Sequence, residues 1–368
     1  MRKWLIIALL ITATFVFVSF TQQEEKMNAD KLRKLYSQSP DKWPAPFIDP
    51  GVQWTELGIL PESPIQKHKD SLKNMIELGK MLFFDTRLSG SGKISCATCH
   101  QPELNWTDGK ERSIGHEGAM TKRNSPTIQN SWFYHRLFWD GRAKDLQDQA
   151  FGPINSETEM NSEMPEVMGK LRGNKQYRVL FKQAFGYDDI GPDELAKAIA
   201  TFEKTIVSRK SRFDEFLAGK KKALSNSELR GLHLFRTKAR CINCHNGPLF
   251  SDNQFHNNGF HLYENGFIDS AKFDKGLYNV THKDSDFGKF KTPSVRDVMR
   301  TGPWMHNGMM AMMDEIISHY SKGADGNGSS DKLIKMLYLR KSEKEDLLAF
   351  LHAISAPPVV FKKPVLPE

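Results

Sequence analysis

Two short stretches of this chain repeat one pattern, in which two cysteines separated by two residues are followed at once by a histidine. The stretches are Cys96–His100 and Cys241–His245. This spacing lets one tight turn present two thiols and one imidazole to the same macrocycle, as attachment of a c-type haem requires. The histidines His100 and His245 would then bind the iron as proximal ligands. The two motifs use all four cysteines of the chain, namely Cys96, Cys99, Cys241 and Cys244.

A pair of cysteines with this spacing also occurs in redox disulfides and in zinc sites. A zinc site would need the two pairs to meet, although 141 residues separate Cys99 from Cys241. A thioredoxin-like disulfide would need a βαβ context, of which the sequence gives no sign. Two covalently bound haem groups are therefore the prediction.

The N-terminus has the pattern of an export signal. Arg2 and Lys3 precede an apolar run from Trp4 to Phe20, and a charged region followed by an apolar region is typical of a secretory signal. We expect residues 1–21 to be a signal peptide or, since the run is about long enough, a retained membrane anchor. Attachment of haem to such motifs is completed outside the bacterial cytoplasm, so the sequence predicts a periplasmic protein.

The length of 368 residues indicates two domains, each large enough to bury a core. With one haem motif in each half, we expect one haem per domain. The prediction is an extended arm over residues 22–70, an N-terminal haem domain over 71–218 and a C-terminal haem domain over 225–355. The formal net charge is +8, and basic and acidic residues are mixed along the chain. The sequence has no array of basic and aromatic residues that would favour nucleic acid as a partner.

Apolar residues at helical spacing predict a mainly α fold with long loops. Two loop-rich stretches, 101–135 and 246–292, lack a periodic pattern, and loops of this kind often line a cofactor or substrate pocket. Helices are expected at about residues 71–84, 145–150, 163–172, 175–185, 192–218, 312–322 and 342–353.

Further motifs occur in a fixed order around the two haem motifs. They are Leu82–Asp85, Arg123–Thr127, Phe138–Ala143, Glu159–Met160, Ser211–Asp214, Lys291–Arg296 and His306–Gly308. Over about residues 72–352 the sequence resembles the bacterial di-haem cytochrome c peroxidases and the related MauG-type enzymes.

The resemblance implies two cytochrome-c-like helical domains and the reduction of hydrogen peroxide to water. The N-terminal haem would be peroxidatic, and the C-terminal haem would receive electrons from a small donor protein of the cytochrome c or cupredoxin type. The resemblance also implies a homodimer.

Four residues match the family's positions around the peroxidatic haem. His116 matches a distal ligand on a loop that must swing away before peroxide binds, whereas the residues alone fit a surface histidine. Glu159 matches the catalytic acid and base, although a surface charge or helix cap would also suit that polar run. Gln149 matches an amide that positions peroxide, and Trp139 matches the tryptophan between the haem groups, which is also compatible with a core side chain.

The resemblance further implies a calcium site between the domains. Asn124, Thr301 and Pro303 match its positions. The Asn124 side chain and the two backbone carbonyls would supply the oxygen ligands that this hard ion prefers. No acidic cluster in the sequence indicates the site independently.

The sixth ligand of the C-terminal haem departs from the peroxidase pattern. The peroxidases have methionine at this position, and the matching residue here is Tyr320. A tyrosine resembles the MauG-type enzymes, which oxidatively modify a partner protein. His319 and a nearby methionine are the other candidates, the methionines being Met305, Met309, Met310, Met312 and Met313.

Besides the peroxidase and the MauG-type enzyme, a third hypothesis is a non-enzymatic di-haem electron carrier. In such a carrier Glu159 and Gln149 would have no catalytic role.

Overall fold

The computed structural model describes residues 29–187, 189–264, 267–268, 274–324, 330–358 and 360–368. The signal peptide or anchor predicted over residues 1–21 lies outside them. Within the described ranges no helix is both long and apolar enough to span a membrane.

Helices dominate the described residues and confirm the predicted mainly α class. The α-helices there are α1 (29–36), α2 (Lys73–Phe84), α3 (Cys96–Cys99), α4 (Leu146–Asn155), α5 (Met164–Gly173), α6 (Lys175–Phe185), α7 (Pro192–Glu203), α8 (Arg212–Leu217), α9 (Asn226–Arg236), α10 (Tyr278–Thr281), α11 (Met313–Ser321) and α12 (Lys341–Ala353). Strands are two residues long and pair antiparallel, β1 (Phe255–His256) with β4 (Phe290–Lys291) and β2 (Tyr263–Glu264) with β3 (Phe267–Ile268).

The helix predicted over residues 192–218 is broken in the structure. It forms α7 and α8, because a β-branched run of Thr205, Ile206 and Val207 lowers helix propensity. The Ser211 side chain then accepts a hydrogen bond from the Asp214 backbone N–H and starts α8.

The helix predicted to end near residue 150 instead continues to Asn155, with Pro153 inside it. Proline has no N–H, so the backbone carbonyl four residues earlier, that of Gln149, loses its helical donor. The Gln149 carbonyl, at the residue predicted to position peroxide, therefore lacks the usual helical donor.

Buried apolar side chains form two main clusters, one beside each haem motif. The first cluster joins α2, α5, α6 and α7 with Trp106. The second joins α8, α9, α11 and α12 with Phe250. The helix α8 falls within the predicted N-terminal domain, yet its Phe213 and Phe216 pack in the second cluster. The domain boundaries stay a prediction.

Residues 29–58 differ from the extended arm that the sequence predicts, because they begin with α1 and pack on the second cluster through Leu32, Tyr36 and Trp43. The guanidinium of Arg236 is 1% exposed and donates hydrogen bonds to the Tyr36 hydroxyl at 3.0 Å and the Glu56 carboxylate at 3.0 Å. Burial of a charge is tolerated only when it is paired in this way.

The same segment also forms hydrogen bonds with the second haem motif. The Asn243 side chain, between the two cysteines, accepts from the Asp49 backbone N–H at 2.7 Å and donates to the Phe47 carbonyl at 2.9 Å. This two-way backbone pairing fixes the motif against residues from the beginning of the described chain.

Close helix packing in each cluster depends on one glycine. A Cβ at Gly79 of α2 would lie 1.9 Å from the Ala198 carbonyl oxygen of α7. A Cβ at Gly231 of α9 would lie 2.0 Å from the Asp346 carbonyl oxygen of α12. Both helix pairs therefore touch through their backbones.

We predict that Gly79→Ala lowers the free energy of unfolding by about 1–3 kcal/mol, because α2 and α7 must separate to admit the methyl group. The matched control is Gly169→Ala in α5, where no atom lies within 4 Å of the new Cβ. That variant should be as stable as the unchanged protein or more stable by up to about 1 kcal/mol. Chemical denaturation compares the variants, and equal stability of Gly79→Ala and the unchanged protein would contradict the account.

Candidate functional site

One cavity of about 1100 Å³ lies between the two clusters and reaches both haem motifs. His100 lines it on one side, and Cys241, Cys244 and His245 line it on the other. Its volume exceeds the about 300–1,000 Å³ of an ordinary ligand pocket. The structure thus brings the two motifs, far apart in sequence, to a common space.

Each motif folds as the tight turn that the spacing predicts. The His100 backbone N–H donates to the Cys96 carbonyl at 3.0 Å, and the His245 N–H donates to the Cys241 carbonyl at 2.8 Å. The ring atom Nδ1 of His100 lies 3.1 Å from the Trp106 carbonyl oxygen, and that of His245 lies 3.2 Å from the Phe250 carbonyl oxygen. A carbonyl only accepts, so these contacts favour a proton on each Nδ1, which leaves the lone pair of each Nε2 for a metal.

The electrostatics of the motifs fit haem attachment. Burial lowers the pKa of His100 and His245, which keeps both imidazoles neutral. Burial raises the pKa of Cys99 to about 11 and that of Cys241 to about 12, so these thiols are uncharged. All four cysteines are free of disulfides. Each motif combines two uncharged thiols with one neutral imidazole, and His100, Cys241, Cys244 and His245 line the cavity. This donor set fits two covalently bound haem groups.

Trp139 lies in the wall of the cavity and is held by residues from both sides. Its indole N–H donates to the Asn124 carbonyl at 2.9 Å, and its own carbonyl accepts from the Lys291 backbone N–H at 2.8 Å. A Cβ at the nearby Gly141, where φ is +72°, would come within 2.3 Å of the Phe255 ring. Trp139 therefore sits where the two parts of the chain meet.

Glu159 and Gln149 both line the cavity, together with the neighbouring Glu157. Burial raises the pKa of the Glu159 carboxyl, and the Arg142 guanidinium partly offsets this shift. Glu157 is exposed. Burial therefore distinguishes the two carboxylates, which the polar sequence run alone does not.

His116 does not line the cavity, although its loop is attached to the Glu159 segment. The His116 backbone N–H donates to the Glu159 carbonyl at 2.8 Å. The His116 ring atom Nδ1 is buried without a hydrogen-bond partner, and its Nε2 lies 3.8 Å from the Glu117 carboxylate. A Cβ at Gly115 would lie 2.2 Å from the Thr158 carbonyl oxygen, so only glycine permits this close approach.

The three residues expected to bind calcium line the same cavity. They are Asn124, Thr301 and Pro303. The Asn124 amide nitrogen donates to the carbonyls of Lys110 at 2.9 Å and Glu111 at 3.2 Å. Because the amide nitrogen makes these two bonds, the amide oxygen is the Asn124 side-chain atom that would bind a cation.

Two of the candidates for the sixth ligand of the second haem share one neighbour. The Asn258 amide nitrogen lies 3.5 Å from the Tyr320 hydroxyl and 3.6 Å from the Met305 sulfur, and both side chains line the cavity. His319 instead directs its Nε2 to the Asn258 carbonyl at 3.1 Å. Met312 is 57% exposed. Met313 also lines the cavity, so the geometry favours Tyr320, Met305 and Met313 over Met312 and His319.

Sequence reasoning missed three ionisable residues of the cavity wall. Burial lowers the pKa of Lys291 to about 7 and raises that of Glu203 to about 8. His256 lies between Asp252 and Asp331, each 2.8 Å from one of its ring nitrogens. Lys291 belongs to a motif recognised in the sequence, but nothing in the sequence indicates that these charges are buried.

Comparison with known proteins shows the family of this chain. The family model described as di-haem cytochrome c peroxidase matches residues 73–222. The cytochrome-c peroxidase IdrP1 of Pseudomonas sp. (strain SCT) is 37% identical over 337 residues, which cover 84% of this chain and 89% of that protein. This chain belongs to the di-haem cytochrome c peroxidase and MauG family.

Other members of the family extend the comparison. The methylamine utilization protein MauG of Methylophilus methylotrophus is 37% identical over 293 residues, which cover 79% of this chain and 85% of that protein. A solved structure of a MauG-like protein associated with microbial copper homeostasis is 30% identical, with a TM-score of 0.70, and covers 84% of this chain and 95% of that chain. The resemblance found in the sequence is confirmed at the level of the family.

We predict that replacing Cys241 and Cys244 together by serine removes one of two covalently bound haem groups. The thiols at the second motif are the atoms that would form thioether bonds, and the first motif keeps its own pair. Mass spectrometry and a haem assay of the purified protein count the groups. Retention of two covalent haem groups would contradict the assignment of this motif.

Proposed function

We propose that this protein is a di-haem peroxidase that reduces hydrogen peroxide to water with electrons from a small redox protein. The proposal depends mainly on one observation, that the half-buried Glu159 side chain lines the same cavity as the His100 side chain. The haem groups, when bound, would supply the redox chemistry at iron. The chain would supply binding, orientation and proton transfer.

Glu159 is suited to moving the proton that peroxide cleavage requires. The two oxygens of peroxide become inequivalent during the reaction, and a carboxylate can take a proton from one and return it to the other. Because burial raises the pKa of Glu159, its protonated and deprotonated forms are closer in free energy than those of an exposed glutamate. Gln149 in the same wall can donate from its amide and hold peroxide in place.

The loop that carries His116 would control access to this pocket. In this conformation the His116 side chain stays out of the cavity, which supports an open distal side. A movement of the whole loop, backbone included, would break the hydrogen bond from the His116 backbone N–H to the Glu159 carbonyl. Closure would thus also release the backbone of the residue that transfers the proton.

Trp139 would assist electron transfer between the two haem sites. Its indole occupies the wall shared by the two haem sites, so its π-system can shorten the distance that an electron must cross. The hydrogen bonds to Asn124 and Lys291 hold the ring in that place.

Several further features belong to the same proposal. We expect one calcium ion on Asn124, Thr301 and Pro303, which would join the two sides of the cavity. We expect export to the periplasm, directed by the N-terminal run and consistent with haem attachment. The electron donor of the cytochrome c or cupredoxin type and a homodimer are expected from the family.

A second candidate function is oxidative modification of a partner protein, as the resemblance to MauG-type enzymes implies. Tyr320 favours it, because its hydroxyl faces the second haem site. The non-enzymatic carrier has less support, since it gives no role to the half-buried Glu159 side chain or the Gln149 amide in the cavity.

We predict that Glu159→Gln keeps both haem groups and lowers peroxide turnover by about 10²–10⁴-fold, the usual contribution of a general acid or base. The matched control is Glu157→Gln, which removes an exposed carboxylate two residues away and should leave turnover near normal. Steady-state oxidation of a reduced small cytochrome by peroxide measures both. Near-normal turnover of Glu159→Gln would reject the proton-transfer role.

We predict that Tyr320→Phe changes the absorption and electron paramagnetic resonance spectra of the second haem, because the phenol oxygen is lost as a ligand. Tyr338→Phe, at a side chain that is 77% exposed, is the control and should change neither. If Met305 is the ligand instead, Tyr320→Phe leaves the spectra as they were and Met305→Leu alters them. That outcome would remove the main support for the second candidate function.

A further inference from the structure

The carbonyl that accepts from each proximal histidine belongs to an aromatic residue with unusual backbone geometry. The φ angle is +63° at Trp106 and +57° at Phe250. Bulky residues rarely adopt this left-handed region, and it persists only where the surroundings enforce it. Both rings are buried, at 8% and 0% exposure. Packing of the ring therefore determines where the carbonyl points.

The aromatic rings that pack on Phe250 belong to its own cluster. Its centroid lies 5.6 Å from that of Phe213, 6.0 Å from that of Phe235 and 6.4 Å from that of Phe350. These rings come from α8, α9 and α12. The support for the His245 imidazole is thus complete within the second cluster.

The ring of Trp106 is held differently. Phe83 of α2 and Phe202 of α7 lie at 5.9 and 6.1 Å. The third and nearest ring, at 5.0 Å and nearly perpendicular, is that of Phe361. Phe361 follows α12 in sequence, so the support for the first haem's proximal histidine depends on a residue beyond the last helix of the other cluster.

The segment that carries Phe361, residues 360–368 and here called the C-terminal tail, packs on the first cluster through several contacts. Phe361 also stacks on Phe84 at 5.6 Å. The Arg87 guanidinium donates to the Pro367 carbonyl at 2.6 Å, and Lys363 pairs with Glu103 at 3.0 Å. These two contacts anchor the tail on the C-terminal side of Phe361.

We propose that Phe361 is a positioning residue for His100: it fixes the Trp106 ring, and through the Trp106 carbonyl it orients the proximal imidazole of the first haem alone. The proposal rests on haem binding at His100, as in the function proposed above. A hydrogen bond from Nδ1–H to a carbonyl gives the imidazole more anionic character and favours ferric iron. A loosened carbonyl should therefore raise the reduction potential of the first haem and leave the second unchanged.

The test is a spectroelectrochemical titration of the haem-loaded protein and its Phe361→Ala variant. The step belonging to each haem is assigned with the variant that lacks Cys241 and Cys244. Val360→Ala, one residue away at a fully exposed side chain, is the matched control, and Phe361→Tyr keeps the ring and should restore the original value. The second haem serves as an internal control in every sample.

The expected result is a higher reduction potential for the first haem in Phe361→Ala. At a given applied potential the ratio of ferrous to ferric first haem should rise by about threefold or more. This change equals about 28 mV, since a tenfold change corresponds to about 59 mV for one electron. Resonance Raman spectra should show a weaker iron–imidazole stretch at the first haem only. An unchanged first potential overturns the proposal. An equal shift of both potentials also overturns it, because that pattern indicates general loss of structure.

If Phe361→Ala does not fold, Phe361→Leu, which keeps apolar volume without a ring, is judged by the same criterion. Failure of the unchanged protein to bind haem at His100 would reject the proposed function and this inference together. Haem binding with no shift in the variant would reject the positioning role alone.

Discussion

The hydrogen bonds that hold Trp139 join the two parts of the structure. Lys291, from the second half, donates to the Trp139 carbonyl, and the Trp139 indole donates to the Asn124 carbonyl. The Asn124 N–H in turn donates to the His306 carbonyl at 2.8 Å, which closes the connection back to the second half. The cavity, the expected calcium ligands and the expected path for electrons all lie along this chain of contacts. A shared cavity would not persist if the two halves moved apart here.

Each end of the described chain packs on the cluster that is more distant from it in sequence, and this packing reinforces the arrangement. Residues 29–58 pack on the second cluster and hold Asn243 inside the second haem motif. The C-terminal tail packs on the first cluster and places Phe361 against Trp106 behind the first motif. Each haem motif is thus supported by chain that is distant in sequence, which couples the geometry of both sites to the integrity of the whole fold.

The sequence predicted the features that depend on the spacing within the haem motifs and on the helical periodicity of apolar residues. The turns at His100 and His245 follow from the motif itself, and the helices α5, α6 and α12 follow from apolar spacing. It did not predict the break between α7 and α8, where local β-branched residues and a serine cap outweigh a continuous apolar face. Nor did it predict the left-handed Trp106 and Phe250, because such backbone is imposed by tertiary packing. The burial of Lys291 and Glu203 was missed for the same reason.

The central claim is that two haem groups in one cavity, with Glu159 beside the first, reduce peroxide. The most direct measurement mixes the haem-loaded protein with hydrogen peroxide and a reduced small cytochrome while the spectra of both haem groups are followed. The account predicts peroxide-dependent oxidation of two cytochromes for each peroxide, with the first haem responding to peroxide and the second to the cytochrome. Electron exchange with the cytochrome but no response of either haem to peroxide, even after half-reduction, would contradict it and identify an electron carrier.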